Sequence, residues 1–293
     1  MDTGSCGAGT YETFSTSVIR KATTRVLAFL NVSVPGLAVS PVHGSWEDFD
    51  QKRTIEMVER HPGEIVGVKV LASYLHCGPM DITPVKLAVQ AARLSGTRVM
   101  CHLGLAPPVI EEVLNHLGPG DIVTHCWHGK GPGGILDRTG RPIPEAWAAA
   151  DRGVLFDIGH GLSSFSFETA RAAMRAGMPL HSISTDLHVL NIRHPVRDMA
   201  TTMAKFLHLG MSLHEVIAAS TLGPAKALGQ DQEIGTLRPG ACADVTVFRL
   251  REGRVEYSDA AGHTEQAQLV LEPVHTVRAG RLIRPGERRG SAR

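Results

Sequence analysis

Short runs rich in β-branched residues alternate along the chain with segments whose apolar positions recur at helical spacing. Strands are predicted at 24–33 (TRVLAFLNVS), 64–73 (EIVGVKVLAS), 97–104 (TRVMCHLG), 121–129 (DIVTHCWHG), 153–161 (GVLFDIGHG) and 182–188 (SISTDLH), with Met1–Gly4 as the stub of a seventh. Between them the pattern predicts helices near 46–60, 84–94, 107–117, 144–151 and 166–177, and beyond them over 196–209 and 213–228. The 107–117 segment opens on paired prolines, which suit a first helical turn. The 166–177 segment carries Ser166 as N-cap, Glu168 in the first turn and Gly177 at the stop.

Repeated strand–helix units joined by short loops imply an α/β fold with a parallel sheet and helices outside it. An open doubly wound sheet and a TIM barrel share this order. No Gly-x-Gly-x-x-Gly turn opens a helix after the first strand, which lowers the nucleotide-binding reading. After residue 230 the texture changes. EIGTLRPGACADVTVFRL (233–250) and AQLVLEPVHTVRAGRLI (267–283) alternate apolar and polar residues and predict antiparallel strands, with the polar stretch 251–266 as a loop between them. The chain thus divides into a barrel over 1–230, a β element over 231–284 and a flexible tail over 285–293.

Composition narrows the function classes. The 293 residues are 43% hydrophobic, and 30 Lys and Arg against 29 Asp and Glu leave a formal net charge of +1. That balance argues against a polybasic nucleic-acid binder and against intrinsic disorder. Five cysteines with no CxxC pair indicate neither a disulfide framework nor a zinc ribbon. Residues 26–46 carry no charge, but Asn31, Pro35, Gly36, Pro41, His43 and Gly44 interrupt the run, so a strand and a loop are expected in place of a membrane span. The expectation is a cytoplasmic protein with no nucleic-acid or membrane partner.

Four predicted strands end on a residue able to serve a metal: Lys69, His102, His125 and Asp186. In a parallel barrel every strand's C-terminal end opens on one face, where active sites are built, so these four would converge. That placement favours the barrel over the open sheet. Neutral imidazoles and a carboxylate suit zinc, and also manganese or iron. A lysine ammonium cannot bind a cation, but desolvation between Val68 and Val70 lowers its pKa, and the free amine can add carbon dioxide to become an anionic carbamate able to bridge two metals. Each residue also has a plainer reading. A strand histidine is often a hydrogen-bonded core residue, Lys69 can reach out to water, and Asp186 can cap a following helix. Cys101 and Cys126 neighbour the histidines and should pack on the opposite face. His128, His160 and His188 follow site strands closely and are candidate substrate contacts, whereas His61, His116, His208 and His214 are expected to be solvated. Lys130, His160, His188 and Arg193 can each hold a substrate carboxylate. The glycine-rich stretch 128–137 is expected to be a mobile lid or a place of close backbone approach.

GVKV, CHLG, THCWHGK, FDIGHG with SSFSF, STDLH, and the closing GTLRPGACADVTVF with VRAGR together resemble the amidohydrolase superfamily, and within it the dihydroorotase-like amidohydrolase/deacetylase metallohydrolases. The resemblance spans nearly the whole chain. It implies a distorted TIM barrel with a small β-sandwich built from both chain ends. It also implies a carboxylated Lys69 bridging two metals, His102 and His125 as ligands of the second metal, and Asp186 as acid/base and ligand of the first. The implied substrates are amides, cyclic amides or esters of small acylated carboxylates.

One departure qualifies the match. The family pattern begins with a His-x-His pair at the end of a first barrel strand, which should precede Met1. The expectation is therefore a barrel lacking its first strand plus the remnant of a sandwich, arising from a start placed too late or, alternatively, from a shortened paralogue. With the pair absent, the chain as given should hold at most one metal tightly and have little activity. A homo-oligomer is compatible with its open edges. The rival reading is an impaired barrel acting as a binding or assembly partner, and a one-metal hydrolase is a third.

Overall fold

The computed structural model describes residues 1–39, 42–131 and 133–283. The predicted tail at 285–293 lies outside the described residues. Six parallel strands follow one another in consecutive order: β1 (Asp2–Gly7), β2 (Ala28–Asn31), β3 (Ile65–Ala72), β4 (Val99–Leu103), β5 (Ile122–Thr124) and β6 (Leu155–Asp157). Three antiparallel strands form a separate sheet: β7 (Val245–Ser258), β8 (Thr264–Arg278) and β9 (Arg281–Ile283). The α/β class and the parallel sheet are as the alternation predicts.

Register sorts the side chains into layers. Asn31 pairs with Lys69, Lys69 with Met100, Met100 with Ile122, and Ile122 with Leu155. Two residues further along, Leu71, His102, Thr124 and Asp157 are level with one another. Period-two alternation puts both rows on one face of the sheet. On that face Phe29, Met100 and Ile122 close a small apolar cluster with Ala227, sealing the floor beneath the polar row. The opposite face carries Val70, Cys101, Val123 and Phe156 into the large core under the helices. Cys101, by alternation, and Cys126, after the strand has ended at Thr124, are buried free thiols in that core.

Helix ends follow local chemistry. The Ser166 side chain accepts from the Thr169 N–H, and Gly177, at φ 80°, ends the helix Phe167–Ala176. Asp198 caps Met199–His208, and a reciprocal Ser212–Glu215 box caps Leu213–Ser220. The helix predicted from 107 begins only at Ile110, because the residue before each proline is driven to extended backbone and Val109 stays extended.

Two further differences matter. The stretch 251–266 is not a loop: β7 runs to Ser258 and β8 starts at Thr264, leaving only the turn 259–263. Its polar side chains pair across the strands, Gln266 with Glu256 and Ser258 with Thr264, each at 2.9 Å, while Val255 and Tyr257 on the other face pack into the core. Asp259 in that turn accepts from the Phe167 N–H at 3.0 Å, docking the hairpin tip on the barrel helix. Secondly, His61 and His208 are not merely solvated; they pair with Glu12 and Glu265 at 3.0 and 2.7 Å. Among the described residues no helix is long and apolar enough to cross a membrane.

Candidate metal centre

His102 is the penultimate residue of β4 and lies on the interior face. Its ring stands 4.4 Å from that of His125, centroid to centroid and nearly edge-on. His125 reaches this position by leaving the strand. β5 ends at Thr124, and His125 adopts φ 65°, a left-handed conformation that turns back a side chain which alternation would send outward. Its Nδ1 donates to the Gly159 carbonyl at 2.5 Å, so the neutral ring keeps the Nε2 lone pair free. Burial, with neighbouring positive charge, holds both imidazoles well below the usual histidine pKa.

Lys69 is buried one layer below. Among the described residues its amine has no hydrogen-bond partner, and burial lowers its pKa, opposed chiefly by the Asp186 carboxylate. Asp186 follows on an irregular segment, with φ 45° and no hydrogen bond to its carboxylate among the described residues. Burial of its carboxyl raises its pKa, and Lys69 opposes the rise. The two rings touch, and Lys69 is close enough to both rings and to the Asp186 carboxylate for its charge to act on all three.

The predicted strand at 182–188 is a single parallel bridge, Asp157 with Ser182. Its backbone still pairs with the loop after β6, since the Ile158, His160 and Gly161 N–H groups donate to Ser182, Ser184 and Thr185. Gly159 and Gly161 have positive φ, which breaks the regular ladder. Sequence reasoning passed over the residue that organises this region. Asp157 accepts from Thr124, Ser182 and Ser184 hydroxyls at 2.6, 2.5 and 2.8 Å, and Ser184 Oγ accepts from the Gly159 N–H at 3.0 Å. The signal was present as a polar residue ending a strand, facing serines spaced two apart. His76 also went unnoticed; its ring meets His102 edge-on at 5.6 Å.

The candidate substrate residues divide. Lys130 is half-buried, bonds Ser164 Oγ at 3.2 Å and is close enough to Asp186 to act on its charge. His128 is buried with Nε2 unpartnered, its pKa pushed down to about 4 by burial and Lys130. His188 and Arg193 are exposed on the turn after Asp186. His160 is corrected: it is fully buried with both ring nitrogens engaged, to Gly161 O and to Lys205, leaving none for a substrate.

The donor set fits a divalent cation in kind: neutral imidazoles with an oriented lone pair, a buried amine with no partner and an unbonded carboxylate. In number it is sparse. Among the described residues no group of three or more His, Cys, Asp or Glu is placed to hold a metal, so a cation at this site would need Lys69 as well.

Comparison with known proteins bears on the family and the fold. The Amidohydrolase family pattern matches residues 60–283. A deacetylase of Agrobacterium fabrum is 38% identical over 280 residues, covering 94% of this chain and 68% of the relative. A deacetylase of Enterococcus faecalis is 34% identical over 285 residues, covering 96% and 76%. Among solved structures, an adenine deaminase superposes with TM-score 0.92 at 33% identity, over 97% of this chain and 78% of that one. A dihydroorotase superposes with TM-score 0.89 at 37% identity, over 96% and 74%. The parallel sheet is thus of the TIM-barrel amidohydrolase type, and the chain belongs to the amidohydrolase family, as a hydrolase of carbon–nitrogen bonds.

Proposed function

We propose that the chain is a metal-dependent hydrolase of deacetylase type, acting on amide, cyclic-amide or ester bonds of small acylated carboxylates. The observation that carries this reading is the edge-on pair His102 and His125, neutral and with the His125 tautomer fixed, beside the partnerless amine of Lys69. Lys69 in its neutral form adds carbon dioxide: the nitrogen bonds the carbon as one carbon–oxygen π bond opens onto oxygen, the nitrogen's proton passes to water, and the resulting carbamate offers anionic oxygens. His102, His125 and carboxylated Lys69 would hold one divalent cation, zinc first by ligand type. Lys69 and Asp186 alone offer too few ligands for a second. The cation supplies a Lewis acid that polarises the acyl carbonyl and acidifies water.

Asp186 does the proton work. Its carboxylate takes the proton of the attacking water, the acyl carbon–nitrogen or carbon–oxygen bond breaks, and the same carboxyl returns the proton to the leaving group. The upward shift of its pKa by burial suits that double role. Lys130 and its neighbour His128, with His188 and Arg193 on the turn after Asp186, supply the positive and polar side for a substrate carboxylate. The names of the curated relatives, deacetylases, favour an acyl group as the part released. A barrel retained for binding alone draws no support from the fold or the relatives.

The test is a screen of N-acyl amino acids, acylated hydroxy acids and cyclic ureides with the zinc-loaded chain, beside Asp186→Asn. With one cation in place of two, slow turnover of at least one class is expected, with the variant slower still by about 10²–10⁴-fold while retaining its metal. No turnover of any class, or a metal-retaining variant at full rate, overturns the reading.

A further inference from the structure

The side chain of Lys205 projects from the helix Met199–His208 and is 0% exposed. It meets the ring of His160, which packs on Phe165 at 4.7 Å, and Phe165 in turn packs on the buried Phe206 at 5.4 Å. An amine in such surroundings is held at a cost, and burial brings its pKa down to about 7. Methionine or leucine would fill the same space without that cost. What the amine gains is polar: Nζ lies 2.7 Å from His160 Nε2 and donates to the Pro195 carbonyl at 2.8 Å.

These two partners belong to different loops, and both loops lead to Asp186. On one side His160 Nδ1 donates to Gly161 O at 3.0 Å, so Nε2 is the acceptor that meets the amine. The His160 and Gly161 N–H groups donate to Ser184 O and Thr185 O at 3.1 and 3.0 Å, the two residues preceding Asp186. A Cβ added at Gly161 would lie 2.8 Å from Asp186 Oδ2, and the Gly159 carbonyl one residue before His160 fixes the His125 ring. On the other side Pro195 closes the turn that begins at Asp186. Within that turn the buried Asn191 side chain donates to Asp186 O at 2.8 Å, and Asn191 O accepts from the Arg197 N–H.

We propose that Lys205 is a positioning residue: a single buried amine that fastens the loop after β6 to the turn after Asp186, and through them fixes the orientation of Asp186 and His125. Lys205 touches neither of those residues, and the inference rests on the functional reading given above. Removing the amine frees His160 and Pro195 from each other while leaving the apolar packing in place.

The experiment uses the full chain, wild type beside Lys205→Met, with three readouts: amide hydrogen exchange at His160 and Gly161, zinc affinity of the metal-free protein by titration calorimetry, and kcat and KM on whichever acyl substrate the wild type turns over. Exchange at His160 and Gly161 is expected to quicken at least tenfold with the β3 and β4 amides unchanged. Zinc affinity should fall several-fold, and kcat should fall at least tenfold with KM within twofold. A uniform rise in exchange across the barrel, or unchanged exchange and unchanged zinc affinity, overturns the proposal. The first two readouts need no substrate, so a wild type inactive on every substrate refutes the functional reading without deciding the clamp. Should Lys205→Met not fold, His160→Gln removes the ring acceptor, keeps the bond to Pro195 and is read on the same three scales.

Discussion

His125 and Gly159 meet across two adjacent strand ends, imidazole Nδ1 to carbonyl oxygen at 2.5 Å, and the glycine has no room for a side chain. A Cβ at Gly159 would lie 2.3 Å from Thr124 Oγ1 and 2.7 Å from His125 Nδ1, on backbone with φ 49°. Gly159→Ala therefore adds left-handed strain to a direct clash and should cost roughly 2–4 kcal/mol. The ring it displaces is a proposed ligand, so zinc affinity should fall more than tenfold. Denaturant unfolding of the metal-free protein and zinc titration measure the two effects separately. An alanine variant with native affinity would show that this bond does not orient the ring.

Lys69 predicts an opposition between stability and function. A buried amine with no hydrogen-bond partner among the described residues is a liability to the metal-free fold. Lys69→Met keeps the length of the stem and removes the polar head, so the metal-free variant should be more stable by about 1–3 kcal/mol. The same change removes the group that would carry the carbamate, so hydrolysis and zinc binding should be lost together. Urea unfolding of both proteins in the presence of a chelator checks the first half, and calorimetry with zinc the second. Destabilisation by Lys69→Met would mean that the amine already has a stabilising role in the empty site.

Metal binding to the native chain raises its apparent stability by mass action. Zinc at a hundred times its dissociation constant should add about 2.7 kcal/mol. The gain should vanish in His102→Asn and in His125→Asn, and dialysis against a chelator should abolish both the gain and any hydrolysis. Thermal unfolding with and without zinc is sufficient. A zinc-dependent shift that survives both substitutions would place the ion elsewhere.

The parallel strands, and with them the placing of Lys69 and His102, were legible in the sequence because a parallel fold with short loops leaves little choice about where strand ends point. Lys69 and His102 obey plain alternation on β3 and β4. His125 reached the site against that rule: β5 stops at Thr124, and a residue with φ 65° re-aims the ring, a conformation no local pattern announces in a histidine. Asp157 stayed hidden because its partners, Thr124 on one side and Ser182 with Ser184 on the other, lie 33 and 25–27 residues away in the chain. His160 misled in the opposite sense. Its place after a site strand argued for substrate contact, while the lysine that occupies it lies 45 residues away on a helix. The hairpin over 251–266 was missed because its cross-strand pairs are polar, which the search for an apolar stripe reads as loop.

Glu265 gives the hairpin a pH-dependent anchor. Arg171 holds its carboxylate through two bonds, at 2.7 and 2.5 Å, and His208 adds a third at 2.7 Å, which together bring its pKa from 4.5 down to about 2. Because the folded pKa lies below the unfolded one, the anchor's stabilisation is complete above about pH 4.5. It fades as the pH falls through the window to about 2. The carboxylate is 27% exposed, so solvent screening limits the effect to about 1–2 kcal/mol. Glu265→Gln should be less stable than wild type by that amount at pH 7, with the difference closing near pH 2. Since β8 packs against the helices that carry Arg171 and His208, the variant should also loosen the hairpin first, seen as faster amide exchange over 264–271 than in the barrel strands. A stability difference that stays constant from pH 7 to pH 2 would assign the loss to packing and not to charge.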